Sequence, residues 1–450
     1  MSIYKDCDIR GIYGRELTAE DTWKIGRGLG AMIPENGVFR VGGDVRLSTP
    51  ELKEALIRGL VESGVNVEDL GTIPTPALYY ALANSSVSGG ATVTASHNPP
   101  EYNGVKFMTG PVPVTRPVID RLKEIIDSKA YPEGKGSVTR VDVLSDYLAA
   151  LGRRFTAAKS LHVVIDAGNG AMSSVAPKAF RNAGYTVTEL FCTADGAFPN
   201  RDPNPAEYKH LTALCENVVE AGADFGVAFD GDGDRAVFVD EKGRAVINEK
   251  SLVLFIRRIL KDNPTPVVYD QKSSSVIRKA VLEMGGTPVP ERSGHAFIKK
   301  HFLEVGAAIA GEVSGHFFFG ELGYDDGLFA ALMMADILCD SEKTLSQLAD
   351  DIVCPPITPD MRVACAYADQ QAWLDKVEAL AETQPCTVAH LDGVRLEFED
   401  GWILMRKSVT AEQITLRGEA DTAERLRELL YMVAGVLPDA VRGVIDKALA

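Results

Sequence analysis

What this sequence lacks narrows its class before any motif is read. Seven cysteines are scattered through 450 residues, odd in number and without a Cys-x-x-Cys spacing. That excludes a disulfide framework and a cysteine-held zinc site, and reads as the reduced thiols of a cytoplasmic protein. Long apolar runs are also missing: the most apolar stretch, LFAALMMADILC at 328–339, is too short to span a bilayer and carries Asp336. The opening residues, MSIYKDCDIRG, show no basic-then-apolar secretion pattern. Positive charge is scarce, with 47 Lys and Arg against 63 Asp and Glu, a net −16. Nucleic acid and anionic membrane are therefore not expected as partners, although a local basic cluster for a small anion stays open. There is no G-x-S-x-G serine-hydrolase elbow and no G-x-x-x-x-G-K-[ST] nucleotide loop.

What is present belongs to a soluble globular chain, 46% hydrophobic and 24% charged, long enough for two to four domains. Strand-like runs lead into amphipathic ones: FRVGGD (39–44) into TPELKEALIRGLVESG, LHVVIDAGNG (161–170) into MSSVAPKAFRNAGY, TPVVYDQ (265–271) into SSVIRKAVLEMGG. Repeated β-then-α units predict largely parallel sheets covered by helices. The pattern restarts near 161 and near 265, and after 360 gives way to alternating segments and a terminal helix. Proline- and glycine-rich KAYPEGKGSV (129–138) and CPPITPD (354–360) read as linkers. The expected architecture is three similar α/β domains with mixed sheets, 1–142, 143–246 and 247–355, and a C-terminal α+β domain, 356–450.

Two stretches carry most of the chemistry. In TVTASHNPPEYNGVKF (92–107) a short apolar strand ends in Ser96 and His97 on a proline-stiffened loop, with Lys106 beyond an Asn-Gly turn. In FGVAFDGDGDRAVFVDEKG (225–243), Asp230, Asp232 and Asp234 alternate with glycines between two apolar runs. Carboxylates this close repel unless a cation sits among them, and hard oxygen ligands suit Mg²⁺ or Ca²⁺. An EF-hand fails on Arg235, which stands where that loop's tight turn requires glycine, and on flanks that read as strands. An acidic turn without metal is the remaining alternative.

Two further loops are weaker signals. GEVSGHFFFGELGYDDG (311–327) puts Glu312, Ser314 and His316 at a strand–turn–strand junction, suited to vicinal sugar hydroxyls but also to a plain hairpin. ERSGHAFIKK (291–300) offers His295 with Lys299 and Lys300, or simply a helix start with solvated lysines. RKSVTAEQITLRGEA (406–420) alternates Arg406, Ser408 and Thr410, which suits a phosphate and equally an exposed polar strand.

Taken in this order, DIRG (8–11), TASHNPPEYNGVKF, DGDGDR, GEVSGH and the R-x-S-x-T of 406–410 resemble the α-D-phosphohexomutase family, closest to its bacterial phosphomannomutase/phosphoglucomutase branch. The resemblance implies four domains around a central cleft, each contributing one motif. It implies that Ser96 is carried as phosphoserine, that Asp230, Asp232 and Asp234 hold Mg²⁺ against it, and that Glu312 and Ser314 bind sugar hydroxyls. Arg406, Ser408 and Thr410 would grip the substrate's own phosphate, with Arg235, Lys272 and His316 also at the substrate. Arg10, Lys106 and Arg235 would balance charge during transfer. Lys106 and His295 lead as proton acceptors, ahead of His97 and His316.

The implied reaction interconverts hexose 6- and 1-phosphates, mannose or glucose, through a hexose 1,6-bisphosphate that also activates the enzyme. CPPITPD would be the hinge of a closing C-terminal domain, in a monomer or dimer. Phosphoglucosamine mutase is the runner-up, and a catalytically silent sugar-phosphate binder the reading from another class. Two positions depart from the family pattern. Val409-Thr410-Ala411-Glu412 replaces the usual Gly-Thr-Glu-Pro, and Cys7 stands where an aromatic residue commonly precedes D-I-R-G. Both bear on phosphate gripping and substrate choice.

Overall fold

The computed structural model describes residues 3–110, 113–408 and 412–449. Val409, Thr410 and Ala411 of the last expected motif lie outside them. The apolar runs bounded by glycine become the inner strands of four sheets. The first has six strands in the order Ile9–Ile12, Tyr102–Met108, Gly89–Val93, Val38–Gly43, Asn66–Thr72, Val138–Arg140. The second runs Ala245–Val246, Ala236–Asp240, Phe225–Phe229, His162–Asp166, Thr186–Leu190. The third runs Thr287–Glu291, Pro266–Asp270, Ile309–Gly311, Phe317–Phe319, Tyr324–Asp325.

These three share a plan. In each, a pivotal strand is parallel to one neighbour and antiparallel to the other. Gly89–Val93 lies between Val38–Gly43 and Tyr102–Met108, Phe225–Phe229 between His162–Asp166 and Ala236–Asp240, and Ile309–Gly311 between Pro266–Asp270 and Phe317–Phe319. The loop leaving the carboxyl end of the pivotal strand carries Ser96 in the first sheet, the aspartates in the second and Glu312 in the third. Mixed α/β sheets place ligands at such carboxyl ends. The fourth sheet, Met361–Ala364, Gln413–Ala420, Gly401–Lys407, Val394–Phe398, Thr387–Ala389, is antiparallel throughout. The chain is thus three mixed-sheet α/β units and a C-terminal α+β unit.

Apolar packing does not respect the three-fold repeat. The largest buried cluster runs from Leu70 of the first unit through Phe229 and Phe255 to Ile352, while the C-terminal unit keeps its own core around Leu396, Ile403 and Leu430. The helix Gly327–Cys339 explains its unbroken apolar composition by position: Leu328 to Ala335 are all buried, as expected of a helix packed on every side. No helix of the described residues is long and apolar enough to cross a membrane.

The segment 129–138, read as a linker, is instead tied to the first unit. Gly134 and Gly136 donate to the carbonyls of Glu62 and Val61 at 3.0 and 2.9 Å, and Val138–Arg140 then pairs with Asn66–Thr72. Its glycines let the backbone lie against the end of a helix, a use that composition alone cannot separate from a loose tether. The 354–360 segment is also strapped down, with Thr358 N–H donating to the Gly418 carbonyl at 2.8 Å.

Leu332, fully buried in that central helix, measures the shared core. Leu332→Ala is expected to destabilise the protein by about 2–5 kcal/mol, seen as an earlier denaturant transition; an unmoved transition would show that the core collapses around the gap.

Candidate active site

Ser96 is 1% exposed and sits at φ +49°, in the left-handed region that a non-glycine residue occupies at a cost of about 1–3 kcal/mol. The surrounding structure enforces this conformation. Thr94 Oγ1 accepts from Ser96 N–H at 2.9 Å. Arg46, wholly buried, donates to the carbonyls of Ser96, Asn98, Pro99 and Tyr102 at 2.8, 2.6, 2.6 and 3.0 Å. Its remaining Nε meets Asp44 at 3.1 Å, and Asp44 also accepts from Thr49 and Thr94. One guanidinium therefore pins the serine loop at four points, as its rigid fork of donors permits.

The aspartate loop of the second unit comes up against the serine loop. Ser96 Oγ donates to Asp230 Oδ2 at 2.7 Å. The close approach requires Gly231, since a Cβ there would stand 2.5 Å from the Ser96 carbonyl oxygen. Asp230, Asp232 and Asp234 are all fully buried, with carboxylate oxygens within 4.8 Å of one another. Their outer oxygens are occupied: Thr75 Oγ1 donates to Asp232 Oδ2 at 2.7 Å, Lys106 Nζ donates to the same oxygen at 2.9 Å, and Lys106 also reaches Asp234 Oδ2. Asp232 Oδ1 and Asp234 Oδ1 are buried without any hydrogen-bond partner.

Buried carboxylate oxygens without a partner beside a third carboxylate suit a cation, and these residues fit a hard divalent ion. Electrostatics agree. Burial, then Asp234 and Asp232, push the Asp230 pKa well above the usual carboxylate range. Burial also opposes ionisation of Asp232, but Lys106 and Thr75 outweigh it and hold that group low. Lys106 itself is desolvated, yet Asp232 and Asp234 raise its pKa well above normal.

A cavity of about 250 Å³ opens over Ser96 and brings together Arg10, Lys106, Arg235, His295 and His316. Arg10 is held by Asn98 and by Asp8. His97 Nδ1 lies 3.3 Å from Ser96 Oγ, and burial with Arg235 and Arg10 nearby keeps its pKa well below normal. Arg235 Nε donates to His316 Nε2 at 2.9 Å, so Nδ1 of that ring carries the proton and donates to Asp325 at 2.8 Å. Asp325 also takes His295 Nε2 at 3.2 Å. It anchors both imidazoles, although within GEVSGHFFFGELGYDDG the sequence singled out only Glu312, Ser314 and His316.

The third-unit loop closes by Gly315 N–H to the Glu312 carbonyl at 3.0 Å, and its Ser314 Oγ is buried without a partner. Burial resists charge on Glu312, but His316, Lys272 and Arg235 lower its pKa. Lys272 donates to Asp360 at 3.0 Å, which joins the third unit to the fourth. Arg406 pairs with Asp392 at 3.0 Å, leaves its Nε unpartnered, and lowers the Asp360 pKa alongside Lys272. Arg406 and Ser408 do not line the Ser96 cavity. Lys299, for which a solvated helix start was one of two readings, is 2% exposed, because His295, Lys299 and Phe302 share one face of the helix His295–Val305.

Three models of one family match in series: phosphoglucomutase/phosphomannomutase alpha/beta/alpha domain I at residues 1–133, domain II at 145–243 and domain III at 248–354. The chain belongs to this family. A phosphoglucomutase of Neisseria meningitidis serogroup B is 38% identical over 97% of this chain and 96% of its own. A phosphomannomutase/phosphoglucomutase of Pseudomonas aeruginosa is 38% identical over 95% and 94%. The crystal structure of a phosphoglucomutase/phosphomannomutase family protein from Burkholderia thailandensis superposes with TM-score 0.90 at 33% identity, covering 99% of this chain and 98% of that one.

The Asp44–Arg46 brace could have been found in GGDVRLSTP, where charged residues follow an apolar strand just as Ser96 does. Arg46→Lys keeps the charge but loses the fork that reaches four carbonyls. Turnover is expected to fall about a hundredfold, the scale of a ~1 Å misplacement; a folded R46K protein with unchanged turnover would mean the loop holds itself.

Proposed function

We propose that this phosphohexomutase interconverts the 6- and 1-phosphates of mannose and glucose through a phosphorylated Ser96 and a hexose 1,6-bisphosphate. The observation that carries the reading is a nucleophile-bearing serine held at positive φ, with its Oγ 2.7 Å from one of three buried, clustered carboxylates. Bound at Asp230, Asp232 and Asp234, Mg²⁺ would supply charge neutralisation to the seryl phosphate.

Phosphoryl transfer passes through a loose, charge-rich transition state, so positioning and compensation dominate. Arg10, Lys106 and Arg235 line the cavity over Ser96 and offer that compensation. In the first transfer a sugar hydroxyl oxygen bonds to phosphorus as the Ser96 Oγ–P bond breaks, and the hydroxyl proton passes to an acceptor in the site. The bisphosphate then turns end for end, the Ser96 oxygen bonds to its other phosphorus as that sugar O–P bond breaks, and the acceptor returns the proton to the freed sugar oxygen. An acceptor must be unprotonated beforehand. Lys106 is tied to Asp232 and Asp234, and His97 abuts Ser96 rather than the space above it. His295 is the better supported choice: it lines the cavity and Asp325 orients its ring.

Glu312, Ser314, His316 and Lys272 form the sugar side of the reading, supported by the unpartnered Ser314 Oγ and the charge linkage of Glu312 to Lys272 and His316. Arg406, Ser408 and Thr410 are assigned to the distal phosphate, supported by the free Nε of Arg406. On the same reading the working units are 1–142, 143–246, 247–355 and 356–450, and the enzyme acts in the cytoplasm as a monomer or dimer. Phosphoglucosamine mutase is the second reading. A silent binder fits poorly with a complete transfer site.

Turnover of mannose 1-phosphate, glucose 1-phosphate and glucosamine 1-phosphate, with Mg²⁺ and a trace of glucose 1,6-bisphosphate, separates these readings. The first two sugars are expected to react and the third to lag, with Ser96→Ala inactive on all while folded. Preference for glucosamine 1-phosphate would install the second reading, and activity in S96A would sink the phosphoserine.

A further inference from the structure

Behind the Ser96 cavity, between the first and third units, lies a second one of about 600 Å³. Its walls are mainly apolar, including Leu82, Met108, Leu322 and Tyr324, and Lys299 is the one ionisable amine among its described lining residues. Lys299 is 98% shielded, with a side-chain amine 3.8 Å from Met108 Sδ and 3.9 Å from the centre of the Tyr79 ring. Among the described residues no carboxylate or carbonyl accepts from it. A buried ammonium satisfied only by sulfur and a π-face is unstable by comparison with one given an anion.

We propose that this cavity is a binding site for a small amphipathic carboxylate, its apolar body filling the space and its carboxylate pairing with Lys299. The volume is that of a small-molecule pocket with few, well-placed polar groups. A single cation matches a single negative charge; a dianionic phosphate would leave charge uncompensated against apolar walls, and sugar hydroxyls would find few partners there. Burial lowers the Lys299 pKa to about 8 against the opposing pull of Asp325, so an arriving anion would also restore full protonation. The site shares a wall with the catalytic cavity. Tyr79, Met108 and Lys299 line both, the Tyr79 ring stacks on His295 at 6.5 Å, and Lys299 lies one helical turn beyond His295.

Calorimetric titration of the full-length protein with 4-phenylbutyrate tests this, with 4-phenylbutanol as the neutral control. One molecule of 4-phenylbutyrate is expected to bind per chain, about ten- to a hundredfold more weakly in Lys299→Met. The alcohol should not distinguish the two proteins. Leu303→Trp, filling the cavity from a half-exposed position, should abolish binding with the lysine intact. Absence of saturable binding, affinity unchanged from the parent protein in K299M or in L303W, or displacement by glucose 1,6-bisphosphate would overturn the proposal, the last by moving the ligand to the Ser96 cavity.

Discussion

Three buried carboxylates that must coexist are the constraint around which this molecule is arranged. With oxygens within 4.8 Å of one another, each ionised pair repels by about 3 kcal/mol at an effective dielectric near 20. The structure answers by dividing the oxygens. Thr75 and Lys106, both from the first unit, take the outer ones, and the inner oxygens of Asp232 and Asp234 are left to a cation. The second unit's most charged loop is therefore satisfied only when the first unit is docked on it. Joining the units and neutralising the loop are one event.

That arrangement gives meaning to the three-fold plan of the sheets. A strand that is parallel on one side and antiparallel on the other sends its next loop outward from the same edge each time. On the proposed reading three unrelated tasks, holding a nucleophile, a metal and a sugar, fall to the equivalent loop of three repeats. The fourth unit joins differently. Its contacts with the third are largely polar: Arg417 on Glu249 at 3.1 Å, Lys272 on Asp360 at 3.0 Å, and Glu419 accepting from Ser275 N–H at the start of a helix. Its core is its own.

Legibility in the sequence followed how each residue is satisfied. Ser96 and the aspartates were plain, because strand-end polar residues among glycines and prolines have few structural explanations. The repeat was visible from strand-then-helix texture. Arg46 and Asp325 escaped because a buried charge has the same letter as a solvated one, and only the four carbonyls or two imidazoles around it reveal the difference. Lys299 stayed open between a site cluster and a solvated helix start for the same reason; its neighbour Lys300 is exposed on the same helix. The segment 129–138 looked like a tether because glycine and proline mark both loose chain and chain laid closely on a helix end.

The continuous core from Leu70 to Ile352 has a consequence for how the protein is made. Its central helix, Gly327–Cys339, is translated late, roughly 15–50 s after residue 70 at about 5–20 residues per second. During that interval the first two units have left the ribosome with the apolar faces that this helix covers still open to water. A repeat architecture, instead of folding one unit at a time, thus withholds its keystone until most of the chain exists, and nascent chains of this length are natural clients for chaperones.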